Sequence, residues 1–124
     1  MGPENDFDPI VGEIRDAWSA AFRVRDINAL VNLYAEDALF FGSTAVLYRG
    51  CGGVRAYFAT LREDVTLEDF EPAQVSLANA DTIIAAGYWS FRFGGALRPY
   101  RLTWTIVRNG DKWLIAAHHA SPRG

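Results

Sequence analysis

Apolar residues at Ile10, Ile14, Trp18, Ala21 and Phe22 repeat at the 3.6-residue spacing of one helix face and predict a first helix over residues 8–24. Asp26 caps a second helix, because its carboxylate can accept the free amide hydrogens of the following turn; Ile27, Leu30, Val31 and Tyr34 supply the buried face. Ala38–Phe41 and Ala45–Tyr48 are short apolar runs split by Gly-Ser-Thr, and they read as two short strands around a bend. After Gly50-Cys51-Gly52-Gly53, helical spacing returns at Val54, Tyr57, Phe58 and Leu61, giving a third helix that ends near Asp64.

Beyond this helix the chain reads as sheet. Gln74–Asn79, Thr82–Phe93, Leu97–Arg108 and Lys112–His119 are rich in Val, Ile, Thr and aromatic residues, and Ala-Asp, Gly-Gly and Asn-Gly separate them. Four consecutive antiparallel strands follow. Asn109-Gly110 suits a two-residue type I′ turn, in which both central residues take positive φ. That turn sets Arg108 opposite Asp111, Ile106 opposite Trp113, Trp104 opposite Ile115, Leu102 opposite Ala117 and Tyr100 opposite His119. A two-residue turn at Gly94-Gly95 likewise pairs Trp89 with Tyr100 and Phe91 with Arg98. One face then carries Trp89, Phe91, Tyr100, Leu102, Trp104, Trp113, Ile115 and His119. The other carries Tyr88, Ser90, Arg92, Arg101, Thr103, Thr105, Leu114 and His118. It is too poor in charge for a fully solvated face, and a second copy of the chain is its simplest cover, so a homodimer through the sheet is expected.

The 124 residues suit one domain spanning 1–124, with a flexible acidic start over 1–7. Half the residues are hydrophobic, enough to build a core without disulfide or metal. A net charge of −3, with the basic residues scattered, excludes a phosphate-collecting surface, so nucleic acid is not an expected partner. Cys51 is the single cysteine and fits a reducing compartment. No run approaches the roughly 18 apolar residues of a membrane span and MGPENDFDP carries no targeting signal, so a cytoplasmic protein with no membrane contact is expected.

Asp26-Ile27-Asn28-Ala29-Leu30 running into Leu33-Tyr34-Ala35-Glu36-Asp37-Ala38, with Tyr48-Arg49-Gly50 before a helix, resembles the nuclear transport factor 2-like superfamily. The ending Trp113-Leu114-Ile115-Ala116-Ala117-His118-His119-Ala120-Ser121-Pro122 is similar to the tail of calcium/calmodulin-dependent kinase association domains and of SnoaL-like, SgcJ/EcaC-type bacterial proteins. The resemblance implies an α+β fold: a cone in which three N-terminal helices pack on a curved, mostly antiparallel sheet. It implies no single function, because that cone hosts isomerases, dehydratases, cyclases and assembly modules. Ketosteroid isomerases of this superfamily need a Tyr on the first helix and a carboxylate base after the "YA.DA" segment, and those places here are Trp18 and Gly42. The strand Leu97–Arg108 also lacks the carboxylic acid that such enzymes keep protonated.

With no acid inside the sheet, His119, His118 and the tyrosines are the titratable candidates. His119 falls on the aromatic face and is the candidate catalytic residue, a base or hydrogen-bond donor; the alternative is a structural His bonded to Ser121, Tyr100 or a backbone carbonyl. His118 points the other way, so the pair cannot chelate one metal, and neither metal nor cofactor is expected. Gly50-Cys51-Gly52-Gly53 lacks phosphate-loop spacing and a Lys and reads as a turn, and Cys51 as a small packed residue. The expected pocket combines Trp18, Phe22, Tyr34, Tyr57, Trp89, Phe91, Arg98, Tyr100, Trp104 and Ser121, mostly apolar with a few polar groups. It suits a small apolar or aromatic molecule. Three readings follow: a non-catalytic or weakly catalytic pocket protein; a SnoaL-like cyclase, dehydratase or isomerase using His119; and an oligomeric assembly module.

Overall fold

The computed structural model describes residues 8–71 and 73–123, so the start expected to be flexible, 1–7, lies outside the described residues. The order is α1 (Asp8–Arg23), α2 (Ile27–Val31), β1 (Tyr34–Phe41), β2 (Leu47–Arg49), α3 (Gly50–Thr60), then β3 (Thr66–Phe70), β4 (Gln74–Asn79), β5 (Thr82–Phe93), β6 (Ala96–Asn109) and β7 (Lys112–Pro122). This is an α+β fold. The strands form one seven-stranded sheet in the order β2-β1-β7-β6-β5-β3, with β4 also on β5. All pairings are antiparallel except β1 with β7.

α1 buries Ile14, Trp18, Ala21 and Phe22 of the stripe its spacing predicts, with Val11 buried and the expected Ile10 only half-buried. Trp18 is the hub: its ring stacks on Phe22 at 5.0 Å, lies 4.7 Å from Trp89 and meets Phe58 and Phe70 edge-on at 6.0 Å. Offset and edge-on pairs suit the ring quadrupoles and add to the stabilisation from burial. The helix ends in a Schellman arrangement, with Asp26 N–H on Ala21 O, Arg25 N–H on Phe22 O and Arg25 at φ 58°. Asp26 then caps α2, its carboxylate accepting from Ala29 N at 3.1 Å, as expected.

Tyr34 does not extend that helix. Ile115 N–H donates to Leu33 O at 2.8 Å, so β7 captures the chain and Tyr34 opens β1. β3 has no clear alternating signal in the sequence, because its exposed Glu68 and Asp69 obscure the buried Leu67.

The Gly94-Gly95 turn pairs Trp89 with Tyr100 and Phe91 with Arg98, as expected. The β6–β7 hairpin differs. Asn109 pairs with Lys112, so the central turn residues are Gly110 and Asp111. Of the two residues of the expected type I′ turn only Gly110 has positive φ, at 64°, which matches a type II′ turn with glycine first. That moves the pairing by two residues and keeps the faces: Ile106 meets Ile115, not Trp113. A bulge between Thr105 and Ile106 then adds one residue on the β7 side, and every later residue of β7 changes face. Tyr100 therefore lies opposite Pro122, Trp104 opposite His118 and Thr103 opposite His119. His118 turns inward; His119, expected inside, turns out.

Candidate functional site

Between α1, α3 and the inner sheet face lies a cavity with about 30 Å³ of free space, lined by Trp18, Phe22, Phe40, Gly42, Ser43, Tyr57, Phe58, Leu61, Val65, Trp89, Phe91, Phe93, Tyr100, His118 and Ala120. By this measure one water needs roughly 10–15 Å³, so about two or three water-sized groups fit. Leu61 and Phe93 are half-buried and Ser43 is exposed, which places the opening on their side.

Among the described residues, His118, 3% exposed, is the one buried polar or charged side chain of the core. Its Nδ1 accepts the indole N–H of Trp104 at 2.9 Å and lies 2.9 Å from the Tyr34 hydroxyl. That hydroxyl in turn accepts the indole N–H of Trp18 at 3.1 Å. A ring nitrogen that accepts carries no proton, so the network assigns the proton of neutral His118 to Nε2. No described residue bonds that nitrogen. Phe40 stacks on the ring at 4.0 Å. Burial, with the nearby His119 as the smaller cause, pushes the His118 pKa down to about 3, so the ring is neutral. Burial also holds the Tyr34 hydroxyl well above the usual phenol range.

Trp89 supplies a second N–H. It is 4% exposed, borders the cavity, and its Nε1 has no hydrogen-bond partner among the described residues. Such an orphan commonly costs about 1–3 kcal/mol. Among the described residues, no carboxylate lines the cavity. At the place of the isomerase base, Gly42 leaves no room for a side chain, since a Cβ there would fall 2.4–2.7 Å from ring and hydroxyl atoms of Tyr57. Tyr57 is held over Gly42 by Ser43, whose N–H donates to its oxygen at 3.0 Å and whose Oγ lies 2.8 Å from it.

Of the residues expected at the pocket, Trp18, Phe22, Tyr57, Trp89, Phe91 and Tyr100 line the cavity. Tyr34 and Trp104 sit one layer behind and grip His118. Arg98 is exposed, though its charge opposes the rise that burial and Tyr57 impose on the Tyr100 pKa. Ser121 and His119 lie on the outer face, along a groove shared with Phe41, Ser43 and Thr44. The His119 ring is exposed, 5.2 Å from Phe41. His118, Phe40 and Ala120 were outside the expected set; the bulge that turns His118 and Ala120 inward has no signal in Ala116-Ala117.

Among the described residues, no three His, Cys, Asp or Glu side chains group to hold a metal, and no helix is long and apolar enough to cross a membrane. No curated protein sequence matches significantly. Solved structures do match in fold. A candidate calcium/calmodulin-dependent protein kinase II association domain from Xanthomonas campestris superposes with TM-score 0.76 at 22% identity, over 90% of this chain and 84% of that one. A ketosteroid isomerase-like protein from Erwinia carotovora atroseptica gives 0.77 at 15% identity, over 97% and 98%. ActVI-ORFA from Streptomyces coelicolor gives 0.78 at 16% identity, over 91% and 95%. The SnoaL-like domain profile matches residues 11–123, nearly the whole chain: this protein belongs to the SnoaL-like domain family.

Proposed function

We propose that the protein binds a small apolar or aromatic molecule at the mouth of its inner cavity and does so without acid–base catalysis. The observation that carries this reading is the state of His118. A general base must offer a lone pair to the substrate, yet the lone pair of His118 is engaged by Trp104, and Nε2 presents a proton. Moving that proton to Nδ1 would set it against the Trp104 N–H. Among the described residues, carboxylates are absent from the lining and His119 stands outside it, so the cyclase, dehydratase and isomerase readings find no base there.

The occupant is expected to enter past Leu61 and Phe93, with the protein paired through its outer sheet face. Titration with toluene, followed by calorimetry, tests the reading. Ala120 lines the cavity, and Ala120→Leu would fill it. Saturable binding that Ala120→Leu removes is the expected result. Equal binding by both proteins, or none by either, would overturn the proposal.

A further inference from the structure

We propose that the inner end of this cavity is a carbonyl-recognition site in which the N–H groups of Trp89 and His118 both donate to one neutral oxygen of the bound molecule. The inference rests on the pocket reading above and specifies its ligand chemistry.

Among the described residues, the other polar side-chain groups around the cavity floor are paired within the protein; the Tyr100 hydroxyl, which has no hydrogen bond to them, lies away from the floor beside the half-buried Phe93. The indoles of Trp18 and Trp104 donate to Tyr34 and His118, and the Tyr57 hydroxyl is engaged by Ser43. Two N–H groups are left over. Trp89 Nε1 is buried and unpartnered, and His118 Nε2 carries the proton that the network denies to Nδ1. Both residues border the same free space, with ring centres 5.5 Å apart. A carbonyl oxygen has two lone pairs and can accept from both. A hydroxyl or amine would bring its own hydrogen into a floor whose free polar groups are donors. A carboxylate would be desolvated with no cation in the lining. The free space, about 30 Å³, admits a carbonyl and little more. The remainder of the molecule must therefore lie toward Leu61, Phe93 and Tyr100, which form an apolar and aromatic seat. The ligand class is a small ketone or aldehyde with an aromatic or conjugated body.

The test compares acetophenone with α-methylstyrene, which has the same shape but a methylene in place of the oxygen. The chain has four tryptophans and hence four indole N–H resonances, and Trp89→Phe identifies the one from Trp89. Acetophenone is expected to move that resonance downfield and to bind about three- to tenfold more tightly than α-methylstyrene, the range for a neutral hydrogen bond. In Trp89→Phe the ratio should shrink while α-methylstyrene binding persists. If both compounds bind equally and the Trp89 resonance stays put, the carbonyl site is refuted and the apolar pocket stands. If neither binds, both fall. The affinity ratio and the resonance shift are read on the unmodified protein, so the test survives a Trp89→Phe chain that does not fold.

Discussion

The indole N–H of Trp104 donates to Nδ1 of His118 across 2.9 Å, between facing positions of β6 and β7. The bond couples strand register to the position of a proton. Strand register decides that these residues meet inside the sheet, and the meeting decides which nitrogen of the imidazole holds a proton.

Burial of the same imidazole implies a pH dependence of stability. Folded His118 takes up its proton only near pH 3, whereas an unfolded histidine does so near 6.5. Below pH 6.5 the unfolded chain therefore holds the extra proton. The contribution of this residue is complete above pH 6.5 and is lost as pH falls from 6.5 toward 3, at up to about 1.4 kcal/mol per pH unit. Urea denaturation at pH 7.5 and 5.5 should show a loss that His118→Gln does not share. Trp104→Phe removes the competing donor, so the NMR-titrated pKa of His118 should rise in that variant. Equal pH slopes in the native and His118→Gln proteins would place the His118 ring in solvent.

A different kind of constraint holds Gly42. Here the absence of a side chain is what lets the Tyr57 ring lie against the backbone and seal one side of the cavity. Gly42→Ala should cost about 1–3 kcal/mol, the range for overpacking. The loss should be much smaller in a Tyr57→Ala background, where the clash is gone. Additive losses in the double-mutant cycle would mean the two residues do not touch.

Most elements were legible because periodicity and turn chemistry report local structure. α1 follows from the Ile14, Trp18, Ala21 and Phe22 stripe, the α2 cap from Asp26, and the β5–β6 register from Gly94-Gly95. The inner face of β7 was not legible. It depends on a bulge near Ala116, and a bulge is set by which ladder bonds close best across the whole sheet. Ala116-Ala117 has no branched or polar side chain to mark the extra residue. Candidate chemistry inherits that error: one added residue moves His119 outward and installs His118 beside Trp104. Tyr34 was misplaced for a similar reason, since the long-range bond from Ile115 to Leu33 ends the helix where local spacing would extend it.

Outside the sheet, one row of facing residues runs Ala86, Thr103, His119, Phe41 and Leu47 across five strands. Leu39, Leu47, Ile84, Tyr88 and Leu97 are exposed, an amount of open apolar surface that suits an isologous contact. Light scattering at about 50 µM, a concentration at which micromolar pairs persist, should give twice the 13.8 kDa chain mass. Thr103→Glu should shift the species to monomer by placing charge at mid-row. A native monomer at that concentration rules the pairing out, and a Thr103→Glu dimer moves the contact to the helices.

Arg25 offers a test of how the cavity edge is held. At φ 58° it occupies the left-handed position that ends α1, a site where a non-glycine residue costs about 1–2 kcal/mol. Its guanidinium offsets that strain. Nη2 donates to the carbonyls of Arg62 at 2.7 Å and of Glu63 at 3.4 Å, and to that of Val65, while the group lies 5.0 Å above the Phe22 ring. These carbonyls belong to the link between α3 and β3, whose Leu61 and Val65 line the cavity. Arg25→Ala loses the tether and keeps the strain; Arg25→Gly loses the tether and sheds the strain. Both should be less stable than the native chain, with Ala worse than Gly by about 1 kcal/mol. Both should also speed hydrogen exchange at the Val65 amide, which bonds Arg62 O at 3.2 Å across the same turn. If Ala is the more stable of the two, the strain at residue 25 is absent. If exchange at Val65 is unchanged, the guanidinium does not hold the segment.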